Sequence, residues 1–216
     1  MNMERATGLV LRTRPLTDTS LIVHWLTPDF GRLATVAKGA RRPKSTFRGQ
    51  IDLFHLAEFS FARSRRSELH TLREVRVLES NAALRPELIY LQQASYGAAL
   101  IEQTTETESP LPVLFAQFNG LLRELPKHPA RSATVFAFEM KLLDDLGMKP
   151  DFSDASLSAG TRQLLEKLTT EDWPNLFRIR LSPAQEFEIQ KYLHGFLIYH
   201  LERLPRGRSA ALAETT

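Results

Sequence analysis

The feature that most constrains this chain is a change in hydrophobic periodicity near residue 82. Before it, five short segments alternate apolar and polar residues with a period of two, as half-buried strands do. After it, apolar residues recur at helical spacing, beginning with Leu84, Leu88 and Leu91 and continuing in four further segments. The sequence therefore predicts an α+β chain in which a β-structure is followed by helices.

The first 80 residues are predicted to form one small barrel. The predicted strands are residues 7–13, 20–27, 31–37, 53–61 and 68–79. Five short strands at this spacing, with no long helix between them, are typical of a small closed sheet. We therefore expect residues 1–80 to be one domain and residues 81–216 to be a second, helical domain.

The helical part is less uniform along its length. Helices are predicted over residues 83–106, 113–125, 130–146, 161–168 and 182–204. The start of the last one is marked by Ser182, Pro183 and Gln185, a capping pattern with proline in the first turn. Apart from the short helical piece, residues 151–181 are expected to be irregular, and residues 205–216 to be a loose tail.

Composition excludes several classes of protein. The chain has no cysteine, so disulfides and cysteine-ligated zinc are excluded. Its longest runs without a charged residue, 88–101 and 109–122, are too short to span a bilayer, and its N-terminus does not resemble a secretory signal. We therefore expect no membrane partner and a cytoplasmic, nucleoid-associated location.

Positive charge is concentrated in the predicted barrel. Residues 1–80 contain 14 Lys and Arg against 8 Asp and Glu, whereas the remaining residues contain 14 against 17. Between Asp29 and Asp52 there is no acidic residue at all. That interval contains the cations Arg32, Lys38, Arg41, Arg42, Lys44 and Arg48. So many fixed charges on a Gly- and Pro-bearing loop predict contact with a polyanion.

A barrel with one basic face can follow a phosphate backbone while exposed aromatic rings stack on bases. The predicted DNA-binding residues are Arg12, Arg14, Lys38, Arg41, Arg42, Lys44, Arg48, Arg63, Arg65 and Arg66. Candidate stacking residues are Phe47, Phe30 and Phe54, although an aromatic residue in a strand pattern more often packs inward. The alternative for the charges themselves is an uneven, solvated surface.

No pattern predicts catalysis. The sequence has no Walker loop, no dinucleotide-binding glycine pattern and no GxSxG motif. Its six histidines are scattered, and their spacing does not suggest a metal site. We expect no catalytic residue, no metal ligand, no cofactor and no enzymatic activity; a hydrolase built on scattered residues such as His55 and His70 is the least favoured hypothesis.

Residues 8–49 resemble the N-terminal domain of the bacterial recombination mediator family RecO. The most specific stretch is Val36-Ala37-Lys38-Gly39-Ala40-Arg41-Arg42-Pro43-Lys44-Ser45. Glu68-Leu69-His70-Thr71-Leu72 and Val77-Leu78-Glu79-Ser80 extend the resemblance, and the segment from Phe138 to Gly147 is similar to the family's core helix. Many members have a four-cysteine zinc knuckle after that helix; residues 151–159 contain no cysteine, so zinc is not expected here.

This resemblance implies an OB-fold barrel followed by a helical domain, with no enzymatic turnover. It also implies binding to single- and double-stranded DNA, annealing of complementary strands, and help from RecR in loading RecA. A further implied partner is the acidic C-terminal tail of single-strand-binding protein, which needs an apolar pocket with a cationic rim. Candidate rim residues are Arg131, Lys141 and Lys191, with ordinary solvated helix charges as the alternative. A plain OB-fold binder of single-stranded DNA or RNA, without mediator partners, is the second hypothesis.

Overall fold

The computed structural model describes residues 3–152 and 157–212, and it divides into two compact units. The first contains the chain up to Ala82 together with Thr105–Ala116, and the second contains Ala83–Thr104 together with the chain from Gln117 onward. The segment Thr105–Ala116 thus belongs with the barrel, although the sequence placed it in the helical domain.

The first unit is a closed five-stranded barrel. Its strands are β1 (Met3–Pro15), β2 (Leu21–Thr27), β3 (Gly31–Ala37), β4 (Leu56–Ala62) and β5 (Leu69–Glu79). The strand order around the barrel is β1-β2-β3-β5-β4, and only β3 and β5 pair in parallel. Five strands in this order, closed by the pairing of β1 with β4, form the barrel of an OB-fold, so the predicted barrel followed by helices is confirmed.

Aromatic rings fill the inside of the barrel. Trp25 stacks on Phe59 with ring centroids 4.0 Å apart, and its indole nitrogen donates to the Thr35 hydroxyl at 2.8 Å. Both rings are almost completely buried. A register shift in β1 between Val10 and Arg12 reverses the inward and outward sides of the strand. Because of this shift, Arg12 lies opposite the half-buried His24 on the outer face.

The segment Thr105–Ala116 docks on the barrel through its backbone. The Glu108 amide donates to the Arg32 carbonyl at 2.8 Å, and the Leu111 amide donates to the Pro28 carbonyl at 3.0 Å. Gly31 has a φ of +61°, and a β-carbon there would lie 1.7 Å from the Ser109 carbonyl oxygen. Glycine is therefore required, and this approach of two backbones explains why the segment joins the first unit.

The second unit consists of helices. They are α1 (Leu88–Thr104), α2 (Pro112–Glu124), α3 (Ser132–Asp145), α4 (Ala159–Thr170), α5 (Trp173–Leu176), α6 (Pro183–Leu201) and α7 (Arg208–Ala211), with α2 starting inside the first unit. Every residue of α3 from Ser132 to Leu143 is buried, so α3 is the centre of this unit. The predicted capping box is present. The Gln185 amide donates to the Ser182 hydroxyl, and the Ser182 amide donates to the Gln185 side-chain oxygen.

Two predictions about the helical part were wrong. The short helix predicted over residues 161–168 lies within α4, but residues 151–181 also contain α5 and are therefore more regular than expected; of this stretch, residues 153–156 lie outside the described residues. The predicted loose tail folds into α7, where Arg208 is only 5% exposed. Residues 213–216 of that tail also lie outside the described part.

A buried polar cluster holds α7 in place. The Arg208 guanidinium donates to both carboxylate oxygens of Glu139, at 2.6 and 2.9 Å, and the Tyr96 hydroxyl donates to Glu139 at 2.5 Å. Glu139 is completely buried, and burial, followed by the neighbouring Glu139 charge, raises the pKa of Tyr96. A buried carboxylate needs such a partner, so Arg208 is part of the core.

Within the residues that the structure describes, no helix is both long and apolar enough to cross a membrane.

Candidate nucleic-acid interface

The segment after β3, residues 38–48, is an ordered loop that we call the basic loop. Its backbone forms successive turns: the amides of Arg42, Ser45 and Arg48 donate to carbonyls three residues earlier, at 3.0 to 3.2 Å. The Arg41 amide donates to the Thr19 carbonyl at 3.0 Å, which fixes the loop to the turn between β1 and β2. Turns of this kind hold the side chains of the loop at fixed positions.

The apolar side of the basic loop faces the barrel. Ala40 and Phe47 pack against the core, as does Phe30 from the β2–β3 turn, and Phe54 is only 2% exposed. The three candidate stacking residues thus pack inward, as the core interpretation predicts. Phe47, the aromatic residue of the basic loop, is partly buried against this core.

The cationic side of the loop faces solvent. Five of its cations are exposed, namely Lys38, Arg41, Arg42, Lys44 and Arg48. Arg41 donates to the Thr17 carbonyl at 3.3 Å and Arg48 to the Pro43 carbonyl at 3.4 Å, both within the same end of the barrel. In the described ranges none of the five forms an ion pair with a carboxylate. Their full charges are therefore exposed to a ligand.

The outer face of β1–β3 adds to this positive potential. Burial and the charges of Arg12, Arg14 and Arg32, in that order, lower the pKa of His24 to about 4. His24 is thus neutral at physiological pH, because it is partly buried and three arginine charges lie near it. Of these, Arg14 is exposed and lies near the end of β1, at the same end of the barrel as the basic loop.

The second predicted cationic segment, the β4–β5 hairpin at residues 63–68, has a different environment. The Arg63 guanidinium donates to Glu4 at 2.7 Å and to Glu108 at 2.5 Å. The hydrogen bonds that Arg63 donates to Glu4 raise the pKa of Arg63, which is held between these two carboxylates and over the Phe30 ring. Arg65 and Arg66 are exposed, so two of the three predicted arginines face solvent.

Glu108 also binds a buried histidine. Burial opposes ionisation of Glu108, but hydrogen bonds from Arg63 and His70 outweigh it and hold its pKa below the ordinary value. The His70 Nε2 lies 2.8 Å from the other carboxylate oxygen, and its Nδ1 accepts from the Ser64 amide. Glu4, Arg63, His70 and Glu108 thus form one charged cluster at the base of the hairpin.

The two cationic segments do not leave the barrel at the same end. The basic loop begins after Ala37, which pairs with Leu21, and Leu21 in turn pairs with Pro15 at the end of β1. The hairpin begins after Ala62, which pairs with Met3 at the start of β1. In a strand-paired barrel these are opposite ends. The basic loop and the hairpin therefore lie at different ends of the barrel.

The predicted rim for an acidic tail is only partly accessible. Lys141 is 6% exposed, its ammonium group donates to the Thr169 carbonyl at 2.9 Å, and burial lowers its pKa, so it cannot serve as a rim cation. Arg131 is half-buried and donates to the Phe177 carbonyl at 3.0 Å, while Lys191 is exposed on α6. Arg131 lines a cleft of about 430 Å³ with the exposed Arg180.

The two histidines of the hydrolase hypothesis do not form a site. His70 is 1% exposed and stacks on Phe61, whereas His55 is 7% exposed and precedes β4 at the opposite end of the barrel. Among residues 3–152 and 157–212 no group of three or more His, Cys, Asp or Glu side chains could hold a metal ion.

Sequence reasoning missed Glu4 and Glu108, the carboxylates that neutralise Arg63. They lie 59 and 45 residues from Arg63 in the chain, and neither belongs to a recognisable motif. The only available signal was weak: two acidic residues near the ends of elements that meet an arginine-rich hairpin.

Comparison with known proteins identifies the family. The family model described as Recombination protein O N terminal matches residues 1–81, and the model described as Recombination protein O C terminal matches residues 85–157. The DNA repair protein RecO of Listeria monocytogenes serotype 4b (strain CLIP80459) is 26% identical over 210 residues, covering 94% of this chain and 80% of the relative. The protein of the same name from Bacillus pumilus is 30% identical over 159 residues, covering 74% of this chain and 61% of the relative. With both family models matched in order, the barrel by one and the helices α1 to α3 by the other, this chain belongs to the RecO family.

Proposed function

We propose that this protein is a recombination mediator in DNA repair that binds single- and double-stranded DNA and anneals complementary strands. The observation that carries the proposal is the basic loop, whose five exposed cations are held by backbone turns and pair with no carboxylate among the described residues. Such a surface binds the phosphate backbone of any sequence. Because the Phe47 ring packs against the barrel core, the cations of the loop favour backbone contacts over base stacking.

Annealing by this protein needs no covalent chemistry. Two complementary strands repel each other through their phosphates, and a cationic surface that neutralises one strand lowers the repulsion felt by the other. Base pairing then supplies the free energy that drives the product. The protein acts as a binding surface in this proposal, without catalytic residues, metal or cofactor.

The mediator role adds protein partners. We propose that this protein binds RecR and the acidic C-terminal tail of single-strand-binding protein. RecA is an indirect partner, which is loaded onto DNA that single-strand-binding protein had coated. The cleft lined by Arg131 and Arg180 fits a carboxylate-rich peptide, and Lys191 is a second exposed cation of the same helical unit. The cytoplasm, next to the nucleoid, is where such partners and DNA meet.

The proposal is tested by annealing of two labelled complementary oligonucleotides. Reversing three exposed charges of the basic loop, Arg41→Glu, Arg42→Glu and Lys44→Glu, is expected to abolish annealing while the circular dichroism spectrum stays unchanged. The matched control reverses three exposed cations of the helical unit, Lys167→Glu, Arg178→Glu and Arg203→Glu, and should anneal normally. Unchanged annealing by the loop variant would contradict the proposal.

The alternative is an OB-fold protein that binds single-stranded DNA or RNA without mediator partners. A pull-down with single-strand-binding protein, with and without its acidic tail, separates the two. Tail-dependent capture supports the mediator, and loss of capture in an Arg131→Glu/Arg180→Glu variant would assign the cleft.

A further inference from the structure

We propose that the outer side of α6 is a self-association surface, through which two copies of this chain pair with their α6 helices antiparallel. This surface lies in the helical unit alone and does not depend on the proposed DNA binding. Two features point to it: the apolar side chains that α6 exposes and the position of one glycine.

Helix α6 is apolar on two opposite sides. The inner side is completely buried within the helical unit and consists of Ile189, Leu193 and Leu197. The outer side carries Phe187 and Tyr199, which are 68% and 83% exposed, and Ile198, which is 41% exposed. A surface helix ordinarily has a polar outer side, and a helix that is apolar all round is ordinarily covered all round. The outer side of α6 is therefore expected to have a partner.

Gly195 marks the place where the partner approaches. It lies on the outer side of α6, and a β-carbon added there would meet no atom within 4 Å. Its φ is not positive, so no residue that the structure describes requires glycine at this position. Glycine inside a helix is less stable than alanine, which makes it a costly choice for a merely solvated position. Close approach of a second backbone gives this glycine a purpose.

The residues around Gly195 form a ridge suited to helix crossing. Phe187, Lys191, Gly195 and Tyr199 follow one another at intervals of four and lie on one line along the helix. Helices that pack through such ridges cross at about −50°, and their axes come closest where the side chain at the crossing is smallest. With a twofold axis at Gly195, Lys191 of each copy lies opposite Tyr199 of the other, because each is four residues from the crossing.

The charges of this surface match those of a second copy. Lys191 forms no ion pair with a carboxylate of the described residues, whereas Glu188 already accepts from the Ser158 amide at 3.2 Å. Glu202 is exposed directly after the last residue of α6. In the antiparallel pair, Lys191 of one copy and Glu202 of the other are offset by only about 4.5 Å along the axis, at 1.5 Å per residue. Each cation therefore meets a carboxylate, twice by symmetry.

The same charges disfavour other occupants. A nucleic acid would meet two carboxylates and a single lysine, and a helix that lies on an anionic membrane is rich in Lys and Arg. The exposed apolar side chains and the lysine stem of two copies would bury roughly 1,000 Å² in total. This is the lower limit for a specific interface, so the dimer is expected to dissociate in the micromolar range.

Sedimentation velocity of the whole chain tests this proposal. The wild-type protein is expected to change from monomer to dimer between about 1 and about 100 µM. Gly195→Gln should weaken the dimer about tenfold or more, because its side chain separates the helices at the crossing. The space at this position is open within one copy, so this variant should resist urea at least as well as the wild type. Gln190→Ala, at an exposed position away from the ridge, is the control and should dimerise normally.

Exchange of charges tests the antiparallel arrangement. Lys191→Glu and Glu202→Lys should each remain monomeric alone, since like charges then face each other twice. A mixture of the two variants should form a mixed dimer about as stable as the wild type, because both pairs are again of opposite sign.

Three results would overturn the proposal. The first is a wild-type chain that stays monomeric at about 100 µM. The second is a dimer that Gly195→Gln and both charge variants leave unchanged, or a mixture of the charge variants that does not associate. The third is binding of a monomeric chain to oligothymidine or to anionic vesicles that Tyr199→Glu abolishes, because this would assign the surface to that occupant instead.

Discussion

The basic loop and the β4–β5 hairpin look alike in the sequence and differ in the folded protein. Both are short, arginine-rich connections between strands of one barrel. Around the loop, no carboxylate of the described residues pairs with its exposed cations, whereas the hairpin has Glu4 and Glu108 bound to Arg63. The cations of the loop are exposed to solvent, whereas the arginine at the base of the hairpin is neutralised by ion pairs within the protein.

This comparison shows that counting cations does not locate a polyanion site. The carboxylates that matter come from distant parts of the chain, one from the start of β1 and one from the segment docked beside Gly31. An arginine held by two carboxylates stabilises the fold, while an unpaired arginine on a fixed loop can bind phosphate.

Salt dependence should give the largest difference between the two regions. Wild-type binding to a short single strand is expected to weaken about 130-fold between 50 and 200 mM salt, as five contacts require. In the loop variant with Arg41, Arg42 and Lys44 changed to Gln, the remaining dependence should be far shallower. Fluorescence anisotropy at four salt concentrations measures both slopes; equal slopes would remove the basic loop from the binding site.

Adding one carboxylate should make the loop more like the hairpin. Thr46 is exposed among the loop cations, so Thr46→Glu is expected to cancel about one phosphate contact and weaken binding about fivefold at moderate salt. Thr46→Gln, of nearly the same shape, is the control and should bind as the wild type does. An unaffected Glu variant would mean that DNA does not approach this side of the loop.

Removing Arg63 should affect stability more than binding. Arg63→Met breaks both ion pairs and leaves Glu4 and Glu108 close together, and a loss of about 1 kcal/mol is expected for such partly exposed pairs. Arg65→Met, at a neighbouring exposed arginine, should leave the free energy of unfolding unchanged. Urea titrations measure the difference, and single-strand affinity at the basic loop should change less than twofold for Arg63→Met.

The smallest effect concerns pH. Because the folded pKa of Glu108 lies below its ordinary value of 4.5, its ion pair stabilises the fold above that value and is lost as pH falls through the lower, folded pKa. Glu108→Gln should therefore be less stable than the wild type at pH 7 by about 0.5 kcal/mol, a small surface ion-pair effect. As pH falls through the folded pKa of Glu108 the two proteins should converge; a constant gap would show that charge at Glu108 does not matter.

Local patterns in the sequence predicted the five strands and the longer helices, but not α5 or α7. Period-two alternation located the strands, and the Ser182–Gln185 capping pattern located the start of α6, because both signals depend on neighbouring residues alone. The same signals cannot reveal which ends of a barrel two loops occupy. That depends on strand order, and the parallel pairing of β3 with β5 is not encoded in either strand by itself.

The sequence also failed to predict which charged residues are buried, again because burial depends on the fold and not on neighbouring residues. Lys141 looked like a surface cation because it is a lysine on a helix, but α3 is buried on all sides and so lacks a solvent face. Arg208 lay in a stretch with proline and glycine nearby, where no apolar period suggests burial. Only the positions of Glu139 and Thr169 in the fold show why these two charges are inside.

The contact between Arg208 and Glu139 has a consequence for how the protein is made. Synthesis proceeds from the N-terminus, and domains tend to fold as they emerge from the ribosome. The central helix α3 carries its completely buried carboxylate long before the residue that neutralises it has been translated. The helical unit must therefore wait in an incomplete state until residue 208 emerges, whereas the barrel needs nothing beyond the segment ending at Ala116.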